Sequence, residues 1–302
     1  MYINHNLMAT NVGNTLAAHY SNLQTSTQRL SSGLRVNSAA DDAAGLAIRE
    51  LMRADIASLQ QGVRNANDAI SLIQTADGAL GIIDEKLIRM KELAEQAATG
   101  TYDSTQRLMI ESEYQAMASE ITRIANATDF NNIKLLDGSL SGTTHTGSGG
   151  GDSKLESQGK LKVHFGAGND SAEDYYYIQI GDSTASALGV GNQATAFGDD
   201  ADARTVSTQA AAQKALVGIN NAIVSKDKIR AHLGALQNRL ENTISNLTTQ
   251  AENLQSAESR ISDMDVATEM TQFVRNQILT QSAVAMLSQA NSMQQMAMQL
   301  IG

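Results

Sequence analysis

Five stretches of the chain repeat their apolar residues at alternating steps of three and four, the spacing that lines one face of an α-helix. In the first, Leu16, Tyr20, Leu23, Thr27, Leu30 and Leu34 form a heptad seam in which Thr27 is the weak member. The second is cleaner, with Ile56, Leu59, Val63, Ala66, Ile70 and Ile73, then Leu80, Ile83, Leu87 and Met90. A third runs Ile110, Tyr114, Met117, Ile121 and Ile124. Leu240, Ile244, Leu247, Ala251, Leu254 and Ile261 keep the same spacing. Residues 281–301 again read as helix, with Val284, Leu287, Met293, Met296 and Leu300 on or near one face.

Breaks separate these runs. Ser38, Ala39, Ala40 and Asp41 read as a capping-box variant, with Asp42 adding a second carboxylate to the first helical turn. Residues 100–104 read as a turn followed by an N-cap. Residues 137–151 are rich in Gly, Ser and Thr, the composition of a flexible loop, most extreme at 147–151. The strand-like region follows. Leu161, Val163 and Phe165 alternate with Lys162 and His164, and 175–180 is β-prone. The turn residues at 166–170 join the two as a hairpin. Helical character resumes near Val206 and continues to Met264.

The layout predicts a mainly α fold: a long antiparallel coiled coil or bundle that pairs N- and C-terminal segments, with a small β-hairpin region in the middle. Each end carries a stripe that needs a partner, and pairing the two ends places both termini together. Three regions are expected. Residues 1–38 join 262–302 in a terminal coiled coil, 39–138 join 205–261 in a helical bundle, and 139–204 form a short, partly β insert facing solvent.

Composition sharpens this. The 302 residues contain no Pro, no Cys and no Trp, and aromatics make up 4%. Without Pro the commonest helix breaker is missing, and few large aromatics favour thin helix-on-helix seams. The absence of Cys excludes disulfides and thiolate chemistry. A formal charge of −10 argues against nucleic acid as a partner, since phosphate binding needs clustered Lys and Arg. No stretch is long and apolar enough to span a membrane. The N-terminus lacks a basic segment followed by an apolar run, so export without a cleaved signal peptide is expected.

Candidate chemistry is sparse. The five histidines, His5, His19, His145, His164 and His232, do not form the paired spacing of a zinc protease. No phosphate-binding loop ends in Lys-Ser or Lys-Thr. Asp41 and Asp42 form the most conspicuous carboxylate pair, and their place at a helix start favours capping over acid–base work. No catalytic residue, cofactor or metal is expected. The Met-rich stretch Met286, Met293, Met296 and Met298 has two readings: ordinary seam packing, or a contact face that adapts to different partners.

Long motifs at both ends resemble one family. The run SSGLRVNSAADDAAGLAI at 31–48, with Gly33, Arg35, Asn37, Asp41, Asp42 and Gly45, resembles the N-terminal signature of bacterial flagellins. So do INHN at 3–6, IQTADGAL at 73–80 and FNNIKLLDG at 130–138. At the other end AESRISDMD at 257–265, containing Arg260, resembles the C-terminal motif. Ile278, Leu279 and the QAN at 289–291 match its last helix. The resemblance covers roughly 1–138 and 205–302.

The resemblance implies a subunit that polymerises into the hollow extracellular flagellar filament and serves motility. The terminal arms would form an inner tube and the next helical layer an outer one. The expected assembly seam is Leu16, Leu23, Leu30, Leu34, Ile261, Val284, Leu287 and Leu300. It further implies type III export, a chaperone on the C-terminal helix, and contacts with filament-cap and hook-associated proteins. A face sensed by a host Toll-like receptor would map to Arg89, Leu93 and Glu113, with Met117 where the family has Arg. A hook–filament junction protein and a secreted adhesin or effector with similar ends are the alternatives.

Overall fold

The computed structural model describes residues 6–142, 159–170, 173–191 and 204–301, apart from the side chains at 294, 297, 298, 300 and 301. The opening 1–5 and the Gly-rich run at 147–151 lie outside the described residues. In chain order the elements are α1 (Leu7–Ser32), α2 (Ala43–Ala98), α3 (Ser104–Ala127), β1 (Asp129–Phe130), β2 (Ile133–Lys134), β3 (Leu161–His164), β4 (Tyr175–Ile178), α4 (Gln209–Ser262) and α5 (Val266–Ile301). The protein is mainly helical, as its periodicity implies.

Local chemistry sets the helix ends. Asn6 caps α1, its side chain accepting the Ala9 N–H at 3.0 Å. Gly33 ends α1 in the left-handed conformation (φ 74°), and its N–H closes onto Arg29 O. The start of α2 differs from the expected capping box at 38–41. Asp41 Oδ2 accepts the Asn37 and Ser38 N–H groups, which closes a turn ahead of the helix. That carboxylate is thereby occupied. Asp42 caps the helix instead, accepting the Gly45 N–H at 2.8 Å. Where α2 gives way to α3, Arg107 donates to Ala97 O and Thr99 O, covering carbonyls that the end of α2 leaves open.

Two antiparallel hairpins follow α3. Phe130 pairs with Ile133 across Asn131 and Asn132, both at positive φ, as a two-residue hairpin turn requires. The second hairpin pairs β3 with β4, Lys162 opposite Tyr177 and His164 opposite Tyr175. It matches the alternation read from the sequence.

The chain divides into two compact units, one of Met1–Ile56 with Ala251–Gly302, the other of Ala57–Gln250. These boundaries fall later than the expected 38/39 and earlier than the expected 261/262. In the second unit Leu80, Ile83, Leu87 and Met90 of α2 are fully buried with Tyr114 and Ile121 of α3, Leu135 and Leu136, and Ile219 of α4. The same core takes in Leu140, Val163, Ile178, Ile180, Leu188 and Val190. The 139–204 region was expected to face solvent, and its described part instead packs into the bundle. The reason is visible at Gly62, where a Cβ would lie 1.9 Å from Phe165 O, and at Asn65, which donates to His164 O at 2.8 Å. The hairpin backbone is seated directly on α2.

Candidate assembly surface

The first unit is built around α1 and α5, which run antiparallel. Asn6 donates to Ala290 O at one end, and Met264 N donates to Gly33 O at the other. Between them a line of positions withdrawn from solvent on α1 runs Ala9, Val12, Leu16, His19, Leu23, Ser26 and Leu30, with Gly13, Thr25 and Arg29 half-buried beside it. The facing line on α5 runs Glu269, Phe273, Asn276, Thr280, Ala283, Leu287 and Ala290, with Ser292 and Met293 half-buried beyond it. Both sets keep heptad steps. Of the seam residues read from the sequence, Leu16, Leu23 and Leu30 are half-buried on this line, and the steps between them fall on other residues. Tyr20, expected inside, is 53% exposed, while Ser26 is 4% exposed. Close approach of two helices favours small side chains at the contact, and His19 and Ser26 fill the steps assigned to Tyr20 and Thr27. Val284, also expected in the seam, is 48% exposed. Leu287 is half-buried, and the side chain of Leu300 lies outside the described residues.

Most of the signature residues cluster where α1 gives way to α2 and α4 to α5. Leu34 and Asp263 form a bridge, Arg35 N–H donates to Ser262 O, and the Arg35 guanidinium donates to Ile261 O at 2.7 Å. Arg49 closes the inside of the joint by donating to Val36 O at 2.9 Å. Backbone N–H groups of Ser38 and Asn37 hold the Asp41 carboxyl below the usual aspartate range, with Arg29 adding a smaller attraction. Asp265 is lowered in the same way by the Thr268 hydroxyl and the Thr268 and Ala267 N–H groups at the start of α5. Gly33, Arg35, Asn37, Asp41, Asp42 and Gly45 thus form one turn–cap assembly. Arg260 stands outside it, exposed and donating to Ser256 on its own helix.

The first unit has almost no apolar interior. Among the described residues, its buried apolar side chains are Val36, Ala283 and Ala290, alongside the polar Ser26, Arg49, Ser262, Glu269 and Thr280. His19 Nδ1, Arg29 Nε and Ser262 Oγ are buried without a hydrogen-bond partner; a buried polar atom left so costs about 1–3 kcal/mol. Large apolar residues meanwhile face outward. Among the described residues, thirteen of the twenty exposed ones belong to this unit, although it holds the smaller share of the chain. Val266, Met270, Val274 and Ile278 climb one flank of α5 at four-residue steps, and Leu279 and Met286 stand on the other. A helix that is apolar on every side is one that becomes buried on every side. The single face expected for 281–301 is therefore an all-round distribution. A signal for this is legible in the sequence: residues 1–28 and 276–302 contain no Asp, Glu, Lys or Arg. Such stretches can be enclosed without desolvating a charged side chain.

The positions matched to a receptor-sensed face differ in exposure. Arg89 and Glu113 pair across α2 and α3 at 2.8 Å and remain exposed. Leu93 is 1% exposed, because it lies on the core side of α2 with Met90 and Ala94, and it contributes nothing to the surface of the chain. No helix among the described residues is long and apolar enough to cross a membrane. None of their acidic or histidine side chains gather in threes to hold a metal.

Residues 3–141 match the family model of the bacterial flagellin N-terminal helical region, and 216–301 that of the C-terminal helical region. The chain is 43% identical to the flagellin of Bacillus subtilis, with 100% of each covered. It is 39% identical to the flagellar filament 33 kDa core protein of Treponema phagedenis, again over 100% of each. The crystal structure of Bacillus cereus flagellin aligns with 28% identity and a TM-score of 0.45, covering 65% of this chain and 94% of that one. With a joint built from the signature residues and relatives matched from end to end, the chain belongs to the bacterial flagellin family.

Proposed function

We propose that the chain is the structural subunit of an extracellular flagellar filament, and that α1 and α5 complete their packing against other copies. One observation carries this reading: a two-helix unit with hardly any core of its own that displays apolar side chains around α5. Enclosing a large apolar side chain fully contributes about 1.5–3 kcal/mol, so residues already half-covered gain roughly half of that on assembly. A contact between the different flanks of successive copies is heterologous and does not close, and it propagates as a helix. The terminal arms, 1–38 with 262–302, form the inner tube, and the bundle of 39–138 with 205–261 forms the outer one.

Other partners follow from the same surfaces. Before assembly a chaperone covers the C-terminal helix, at Val284 and the neighbouring exposed flank. Filament-cap and hook-associated proteins meet the same arms at the two ends of the polymer. The exposed Arg89–Glu113 pair is what remains for a host Toll-like receptor to contact. The chain leaves the cell through type III export. The test is seeded growth: purified chain added to short filament fragments and imaged by electron microscopy. Filaments that lengthen in proportion to added protein are expected. A chain that remains monomeric above the concentrations at which the seeds persist would overturn the reading.

A further inference from the structure

Five described methionines stand exposed, and four of them lie on the arms: Met8 at 60%, Met270 at 43%, Met286 at 56% and Met296 at 51%. The fifth, Met109 at 70%, is on α3 in the second unit. By contrast Met90, in the core, is fully buried. An exposed thioether is open to oxidation, and the product replaces a soft apolar group with a strongly polar, chiral one. Met270 sits in the apolar ridge Val266, Met270, Val274 and Ile278, and Met286 stands on the opposite flank near Leu279. Whatever covers α5 covers these sulfurs.

We propose that Met8, Met270, Met286 and Met296 are oxidation sites whose modification blocks the subunit from assembling, and that assembly closes them to the oxidant. The inference rests on the filament reading above. The oxidant is a hydroperoxide. Its O–O bond breaks, one oxygen is transferred to the sulfur to form the sulfoxide, and the remaining fragment leaves as water or an alcohol. The sulfur is oxidised by two electrons and the peroxide is reduced by two. With no Cys in the chain, no thiol competes for the peroxide. The new S=O dipole has no donor waiting for it on an apolar flank, so enclosing it between copies is unfavourable. In the filament the same sulfurs lie between helices and react slowly. A free subunit is thus vulnerable and a polymerised one protected. The lesion is reversible by methionine sulfoxide reductases.

The experiment treats dilute subunit and preformed filament with the same dose of hydrogen peroxide, maps sulfoxides by peptide mass spectrometry, and then measures seeded growth. In the free subunit all four arm methionines should oxidise and Met90 should not. In the filament the four should lag by at least about tenfold, and oxidised subunit should need roughly tenfold more protein to grow. Reduction of the sulfoxides by the reductases should restore growth. A variant with Met8, Met270, Met286 and Met296 all changed to Leu, a swap of similar volume, should grow equally with and without peroxide, whereas Met109→Leu should remain inhibited. Normal growth of oxidised wild type, failure of reduction to restore it, or rescue by Met109→Leu alone would overturn the inference while leaving the filament reading intact. Untreated subunit that never extends seeds would overturn both.

Discussion

Gly45 shows how little room the turn before α2 allows. A Cβ there would lie 2.4 Å from Asp42 Oδ2, the carboxylate that caps the helix. Gly45→Ala therefore displaces the cap and should cost about 1 kcal/mol. Asp42→Ala removes the same interaction, so the double variant should cost little more than either single one in denaturant titrations. Additive losses would mean that the two residues act separately. The neighbouring Asp41 makes the joint sensitive to acid. Its folded-state carboxyl titrates below the ordinary aspartate value of 3.8, so the stability it contributes is complete above that value. That contribution disappears as pH falls through the lower folded value. Asp41→Asn should lower the stability of the terminal unit near neutrality and flatten the acid limb of its pH profile, followed by amide exchange in α1.

Interhelical contacts in the second unit obey a different physics. Lys226 of α4 is 2% exposed and donates to Asp84 of α2 at 2.5 Å, with Asp227 also at 2.7 Å. Asp84→Ala leaves a buried ammonium with one carboxylate and should destabilise this unit by about 3 kcal/mol, whereas Lys226→Met, which removes the buried charge, should cost about 1 or less. Equal losses in urea titrations would refute that asymmetry. On α5 the expectation reverses. Val274→Asp and Ile278→Asp alter exposed side chains, so subunit stability should stay within about 0.5 kcal/mol while seeded growth fails. The sequence displayed some of this and hid the rest. Alternation at 161–165 and 175–180 exposed the hairpin, and the glycines and capping residues marked the helix ends. Periodicity could not choose between Tyr20 and His19, or between Thr27 and Ser26, because a thin helix contact selects for small size rather than for apolarity. The family resemblance grouped Leu93 with Arg89 in one face, although Leu93 repeats with Met90 on the buried side. The docking of the β3–β4 hairpin onto the bundle depends on Gly62 and Asn65, distant in sequence from the strands they hold.

At the scale of the whole molecule, the two units distribute stability unevenly. The second gathers long aliphatic side chains from three helices and two hairpins into one core. The first pairs two helices through Ser26, His19, Asn276 and Thr280 and keeps its large apolar residues outside. A helix pair with so narrow a contact opens easily, and its amides exchange through local opening rather than global unfolding. In dilute subunit, amides of α1 and α5 should exchange within about a hundredfold of an unstructured chain, while those of α2 around Leu80–Met90 should be protected close to the global limit. In filaments the α1 and α5 amides should slow by several orders of magnitude, because each copy supplies the neighbour that the other lacks, and those of α2 should change far less. Arms already protected in dilute solution would mean that α1 and α5 hold each other unaided, and their exposed apolar flanks would then need another explanation.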